Sequence, residues 1–242
     1  MASDSVSLDK PFEALKAYDW GGDAAAFLPI DAAVIAAHGD HAARADLEKR
    51  LIALLSAGSS RAAKEYTCRK LSLIGTTACV PALAALLPEK EHSHMARFAL
   101  ERINAPEAAE VLRKALVAVQ GDLKIGMISS LAERGDTASV PLLAGLLAGD
   151  SHTAVAAADA LGRIHSPEAV LALAAAAGVA DKAAAAAIVD ARLACAESLL
   201  RTGKRPESLA IYKSLAAAST TESTRLATAR GILACLDTTT AS

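Results

Sequence analysis

Six histidines and four cysteines are the residues of this 242-residue chain best suited to chemistry. His38 and His41, with Asp40 between them, would face one way if a helix ran on through Gly39. His92 and His94 lie together in the segment PEKEHSHM. A metal needs three or four converging N, O or S ligands, and neither pair brings an evident third. Both pairs therefore read as turn histidines, and neither a metal nor another cofactor is expected. Cys68, Cys79, Cys195 and Cys235 show no CxxC spacing and stand among apolar residues, the setting of buried free thiols. The chain contains no GxxxxGK[ST] phosphate loop, no GxSxG elbow and no HExxH. On these grounds the chain is expected not to be an enzyme.

A second constellation suits recognition. Arg69, His94, Arg97 and Glu101 fall at spacings that share a helix face, with Lys124 beside them. They form a mixed-charge stripe that burial of apolar groups does not require. This stripe is the expected partner-binding surface, and reversal of Arg97 is expected to cost little stability.

Composition bounds the elements that must carry these residues. About a quarter of the chain is Ala and only 3% is aromatic, so the core is built from Leu, Ile, Val and Ala on closely spaced helices. The formal net charge of −2 argues against an extended nucleic-acid surface. No apolar run is long enough to span a membrane and the start, MASDSVSLDKPFEALKAYDW, is polar. The chain as given is expected to be soluble and cytoplasmic, or periplasmic if a signal peptide has been removed.

An internal repeat organises the sequence. ALERINAPEAAEVLRKAL at 99–116 matches ALGRIHSPEAVLALAAAA at 160–177, and TTACVPALAALL at 76–87 matches DTASVPLLAGLL at 136–147. Half that distance is visible in segments starting at 71, 100, 131 and 161, which sets a helix–turn–helix unit of about 30 residues. Pro81, Pro106, Pro141 and Pro167 fall in the first turn of the following helix. Thr76, Asp136 and Ser166 stand as N-caps, and Gly75 and Gly135 are placed to end helices in the left-handed conformation. Helices are predicted at 9–18, 24–37, 41–56, 60–74, 77–88, 93–103, 106–118, 122–134, 137–148, 152–164, 167–177, 183–202, 206–218 and 222–236. Leu71, Leu100, Leu131 and Leu161 are the equivalent core positions. Phe12, Tyr18, Trp20 and Phe27 would cover the open apolar end of the first repeat.

The Val-Pro-x-Leu, Ala-Leu-x-Arg-Ile and Pro-Glu-Ala elements resemble short bacterial HEAT repeats of the phycobilisome-lyase-like type, particularly those common in planctomycetes. The resemblance is clear over 60–177. LLRTGKRPESLAIYKSLA at 199–216 resembles half of a tetratricopeptide unit. The resemblance implies an all-α, right-handed α-solenoid of about six antiparallel helix pairs. It divides the chain into capping helices at 1–40, a HEAT-like array at 41–187, tetratricopeptide-like helices at 188–236 and a flexible tail at 237–242. It also implies a non-catalytic scaffold that binds a protein or peptide on its concave surface, where the second helices lie. Two HEAT families do carry chemistry. Deoxyhypusine hydroxylase uses His-Glu pairs as iron ligands, and no His-Glu dipeptide occurs here. Alkylpurine glycosylases use a basic, aromatic-rich groove, which this composition does not offer. Two alternatives stay open. One is a tetrapyrrole or small-molecule binder, which would need a deep aromatic pocket. The other is a repeat fragment of a longer protein, which would expose apolar residues around Ile232 and Leu236.

Overall fold

The computed structural model describes residues 7–56, 58–179, 181–218 and 221–237. Among them there is no strand. The α-helices are α1 (Asp9–Ala17), α2 (Leu28–Ala36), α3 (His41–Leu54), α4 (Arg61–Ile74), α5 (Val80–Ala85), α6 (Ser93–Arg102) and α7 (Pro106–Ala118), followed by α8 (Gly121–Glu133), α9 (Val140–Leu146), α10 (Ser151–Ile164), α11 (Pro167–Ala175), α12 (Lys182–Arg201), α13 (Arg205–Ala218) and α14 (Glu222–Leu236). The predicted elements are all present. Three of them differ at their starts: 3-10 turns at Ala25–Phe27, Thr77–Cys79 and Thr137–Ser139 precede α2, α5 and α9.

Proline explains that difference. Pro29, Pro81 and Pro141 each occupy the second residue of their helix, where an α-helical N–H would reach back to residue 25, 77 or 137. Proline has no N–H to donate. Those carbonyls accept instead from Leu28, Val80 and Val140, three residues on, which is the 3-10 pattern.

The turns between paired helices also have individual causes. Thr76 and Ser166 cap as expected, accepting from the amides of Ala78 and Ala169. Gly135 is left-handed at φ +60°, but Gly75 is not: its φ of −60° and ψ of 146° are extended. Crowding accounts for that glycine, since a Cβ there would lie 2.4 Å from the Leu71 carbonyl oxygen and 2.9 Å from Cys79 Sγ. The left-handed position after α10 is filled by His165 at φ 39°.

Side-chain bonds between residues about 30 apart tie successive pairs together. Arg44 donates to the carbonyls of Ile74 (2.6 Å) and Gly75 (3.1 Å). The buried Glu48 accepts from the Thr76 amide at 2.6 Å and from its hydroxyl. Ser130 donates to Glu101 at 2.7 Å, Ser151 donates to Asp181 at 3.0 Å, and Arg163 pairs with Glu133. Leu71, Leu100, Leu131 and Leu161 are all fully buried. Contacts recurring at one spacing, with equivalent leucines inside, are the signature of a helical repeat.

The chain forms two compact units, Met1–Ser130 and Leu131–Ser242. This partition by compactness is distinct from the partition by repeat type at 40, 187 and 236, and residues 238–242 of the tail lie outside the described residues. In the first unit α4 packs on α3 and α6, and α5 packs on α6 and α7. Phe12 and Phe27 are buried at its start, with Phe27 edge-on to Tyr18 (4.9 Å) and Tyr66 (5.0 Å). Trp20 does not join them and is 59% exposed. In the second unit α12 packs on α10, α13 and α14. Leu226, Leu233 and Leu236 on α14 are exposed, and Ile232 is half-buried.

Gly162 and Gly231 are surrounded. A Cβ at Gly162 would stand 2.9 Å from the Cα of Ala191, and one at Gly231 would enter the Tyr212 ring at 2.3 Å. Gly145, in helix α9, meets nothing within 4 Å. Opposite signs follow for the same substitution. Gly162→Ala and Gly231→Ala should each destabilise by about 1–3 kcal/mol, whereas Gly145→Ala should stabilise by about 0.5–1 kcal/mol. Urea denaturation of the three variants checks this, and equal effects would refute the packing assignment.

Candidate functional site

Between α4 and α6 lies a hollow of about 100 Å³. The two helices pack on one another, and both bury small residues, Ala62 and Ala63 on α4 and Ala96 and Ala99 on α6. Larger and polar side chains at their N-terminal ends are therefore left standing around a gap. Its floor is Cys68, Leu86 and Met95, the first two buried. Its rim is Arg61, Lys64 and Glu65 from α4, with Glu91, His92 and His94 on the facing segment.

The rim charges divide into engaged and open ones. Glu65 pairs with Arg69 at 3.4 Å, and the Nδ1 of His92 lies 2.8 Å from Glu89. Among the described residues, neither Arg61 nor Lys64 has a carboxylate within salt-bridge distance, and His94 and Glu91 are also without an ion-pair partner. Burial, with the nearby Glu65, pushes the Cys68 thiol up to about 12. Cys79 is likewise raised to about 12 by burial and by Glu48, and Cys195 to about 11 by burial. A thiol of this kind is neutral at physiological pH and is a soft apolar surface, not a nucleophile. All four cysteines are free and buried.

The five expected site residues separate. Arg69 and His94 are exposed on α4 and α6, and His94 borders the hollow. Arg97 turns inward. One guanidinium nitrogen donates to the Gly126 carbonyl at 3.1 Å and to the Ser130 hydroxyl at 3.2 Å, while Nε is buried without a hydrogen-bond partner. A Cβ at Gly126 would sit 2.6 Å from the centre of that guanidinium, so the cation lies flat against the α8 backbone. Desolvation lowers its pKa and Glu101 opposes that shift, yet a guanidinium stays charged. Glu101 is largely covered, accepting from Ser130 and pairing with Arg102 at 3.3 Å. Lys124 is half-buried, two residues and thus about 200° around α8 from Gly126. It does not share the side of α8 that meets Arg97. The expectation that Arg97 is a freely reversible surface charge is therefore corrected: it is a clamp between α6 and α8.

Sequence reasoning did not single out Arg61 or Met95 for this face, and it read Cys68 only as a buried thiol. Arg61, Lys64 and Cys68 recur at helical spacing, which put them on one face, but the intervening gap depends on the partner helix. His38 and His41 are not on one helix. Gly39 at φ +84° breaks the chain between α2 and α3, and Asp40 caps α3 by accepting from the amides of Ala42 and Ala43. Among the described residues no group of three His, Cys, Asp or Glu side chains converges as a metal site. No described helix is long and apolar enough to cross a membrane.

No protein-family profile matches the chain, and no curated protein matches it significantly in sequence. Among solved structures it is similar to human deoxyhypusine hydroxylase in complex with glycerol, at 17% identity and a TM-score of 0.43, covering 76% of this chain and 94% of that one. It is also similar to an engineered protein, at 22% identity and a TM-score of 0.44, covering 79% of this chain and 96% of that one. The expectation that the chain is not an enzyme is corrected by the first of these, which is an enzyme. A helical fold of this kind is no ground for setting catalysis aside. At these scores neither likeness assigns an activity.

Two measurements follow from the geometry. Arg97→Glu would place a carboxylate against the Gly126 carbonyl and should cost about 2 kcal/mol or more in urea unfolding, while Arg69→Glu should stay within about 0.5 kcal/mol. Separately, folded protein at pH 8 should alkylate slowly with iodoacetamide at Cys68, Cys79 and Cys195, and rapidly once denatured. Fast labelling of Cys68 in the folded state would contradict its burial.

Proposed function

We propose that the chain binds a protein or peptide partner on the face formed by α4 and α6 of the first unit. The observation that carries this reading is the hollow itself: a soft floor of Cys68, Leu86 and Met95 inside a ring of charged side chains. An apolar centre with a polar rim is the anatomy of an interface patch. Repeats stacked side by side place such helix faces next to one another, and the resemblance to HEAT repeats supports the same use. Arg69 and His94 belong to the proposed face, with Arg61 and Lys64. Arg97, Glu101 and Lys124 leave the direct contact set; Arg97 and Glu101 hold α6 and α8 in place beneath it.

At this face the hollow of about 100 Å³ has room for the tip of one side chain and none for a tetrapyrrole.

Selection of a displayed random peptide library on the folded chain tests the reading. Peptides that enrich should bind the wild type and lose about tenfold or more in affinity to the double variant Arg69→Glu, His94→Glu, which leaves the Arg97 clamp intact. Peptides that bind wild type and variant equally would place the binding surface elsewhere.

A further inference from the structure

We infer that the side chains open on this face select an acidic segment carrying one short apolar residue, with the apolar residue seated in the hollow between α4 and α6. The inference rests on the peptide-binding reading above and adds the chemistry of the partner.

Two independent features lead to it. The first is charge. Arg61 and Lys64 stand on the α4 rim with no carboxylate within salt-bridge distance among the described residues, and Glu65, the acid between them and Arg69, is already engaged by Arg69. On the facing rim Glu91 is the one acid, and it has no ion-pair partner among the described residues. The α4 rim thus carries two open cations against one open acid, Glu91, on the facing rim. Carboxylates of a partner would meet Arg61 and Lys64, and a basic segment would meet them as like charges. Rim charges of this kind set encounter rate and partner choice. The second feature is the floor. Cys68, with its thiol neutral, Leu86 and Met95 offer sulfur and methyl surface. Thioether sulfur in particular adapts to different apolar shapes. A polar residue placed there would lose its water without gaining a partner. An aliphatic tip loses nothing.

The probes are two synthetic peptides, one with leucine flanked by three glutamates on each side and one with leucine flanked by three lysines. The full chain should bind the acidic peptide at least tenfold more tightly by fluorescence anisotropy, and affinity should fall as NaCl rises from about 50 to 500 mM. The pair Arg61→Glu, Lys64→Glu should abolish that preference. Replacement of the leucine by serine should weaken binding, and Cys68→Leu, which fills the hollow without changing charge, should do the same. Circular dichroism checks that each variant is folded; should Cys68→Leu not fold, the leucine-to-serine peptide carries the test of the hollow alone. Equal binding of the two peptides, or binding unchanged in Arg61→Glu, Lys64→Glu, overturns the acidic preference. If the library peptides still depend on Arg69 and His94, the binding face itself stands; if they do not, the underlying reading has failed as well.

Discussion

The backbone of α10 comes so near α12 at Gly162 that a single methyl group would collide with Ala191. The same closeness recurs at Gly126, where the Arg97 guanidinium rests on bare backbone, and at Gly231 beneath the Tyr212 ring. Alanine makes up the rest of these contacts, with Ala62, Ala63, Ala96, Ala99, Ala157, Ala158 and Ala160 all buried. Small residues let helix axes approach, and dispersion between many close atoms replaces the bulk that aromatic rings would supply. A chain with so few rings depends on that approach, because no large side chain is available to fill a wider gap.

Close packing of short helices has a consequence for the ends. Each helix pair brings its termini into a crowded turn, where unsatisfied backbone groups need partners. Arg44 and Glu48, one helical turn apart on α3, meet this need for the turn after α4: the cation covers the last carbonyls of α4 and the carboxylate takes the Thr76 amide. The Glu48 carboxylate is buried, and it is tolerated there because its bonds are made. Repeats are thus joined both by apolar packing and by charged side chains that act as caps for their neighbours.

This double use of charge sets what could be read from the sequence. Helix positions, the buried leucines and the first-turn prolines were legible, since they depend on local periodicity and on the chemistry of proline. The 3-10 openings were also latent there, as a proline in the second position removes one specific donor. Gly75 misled because local rules offer only the left-handed reason for a glycine at a helix end, whereas the real cause is crowding by the Leu71 carbonyl oxygen, by Cys79 and by the more distant Ile103. Arg97 misled for the same kind of reason. Its spacing with His94 and Glu101 marks a shared face, but spacing does not say whether the neighbouring helix offers a side chain or, as at Gly126, an empty place for the guanidinium to occupy.

The distinction between a clamp and an open charge therefore rests on the facing helix. Arg97 and Arg61 are the same residue type on successive second helices, Arg61 at the first position of α4 after the Ser60 cap and Arg97 in the middle of α6. Opposite Arg97 stand a glycine carbonyl and a serine hydroxyl within hydrogen-bond reach, so the cation is drawn in and serves cohesion. Beside Arg61 the facing segment supplies a buried leucine, a methionine and two histidines around a gap, and the cation is left at the rim. Water solvates it there at little cost, and its interaction with anything else is still to be made. What faces each cation, a carbonyl and a hydroxyl within reach or a gap, separates the arginine that fastens two helices from the one left open at the surface.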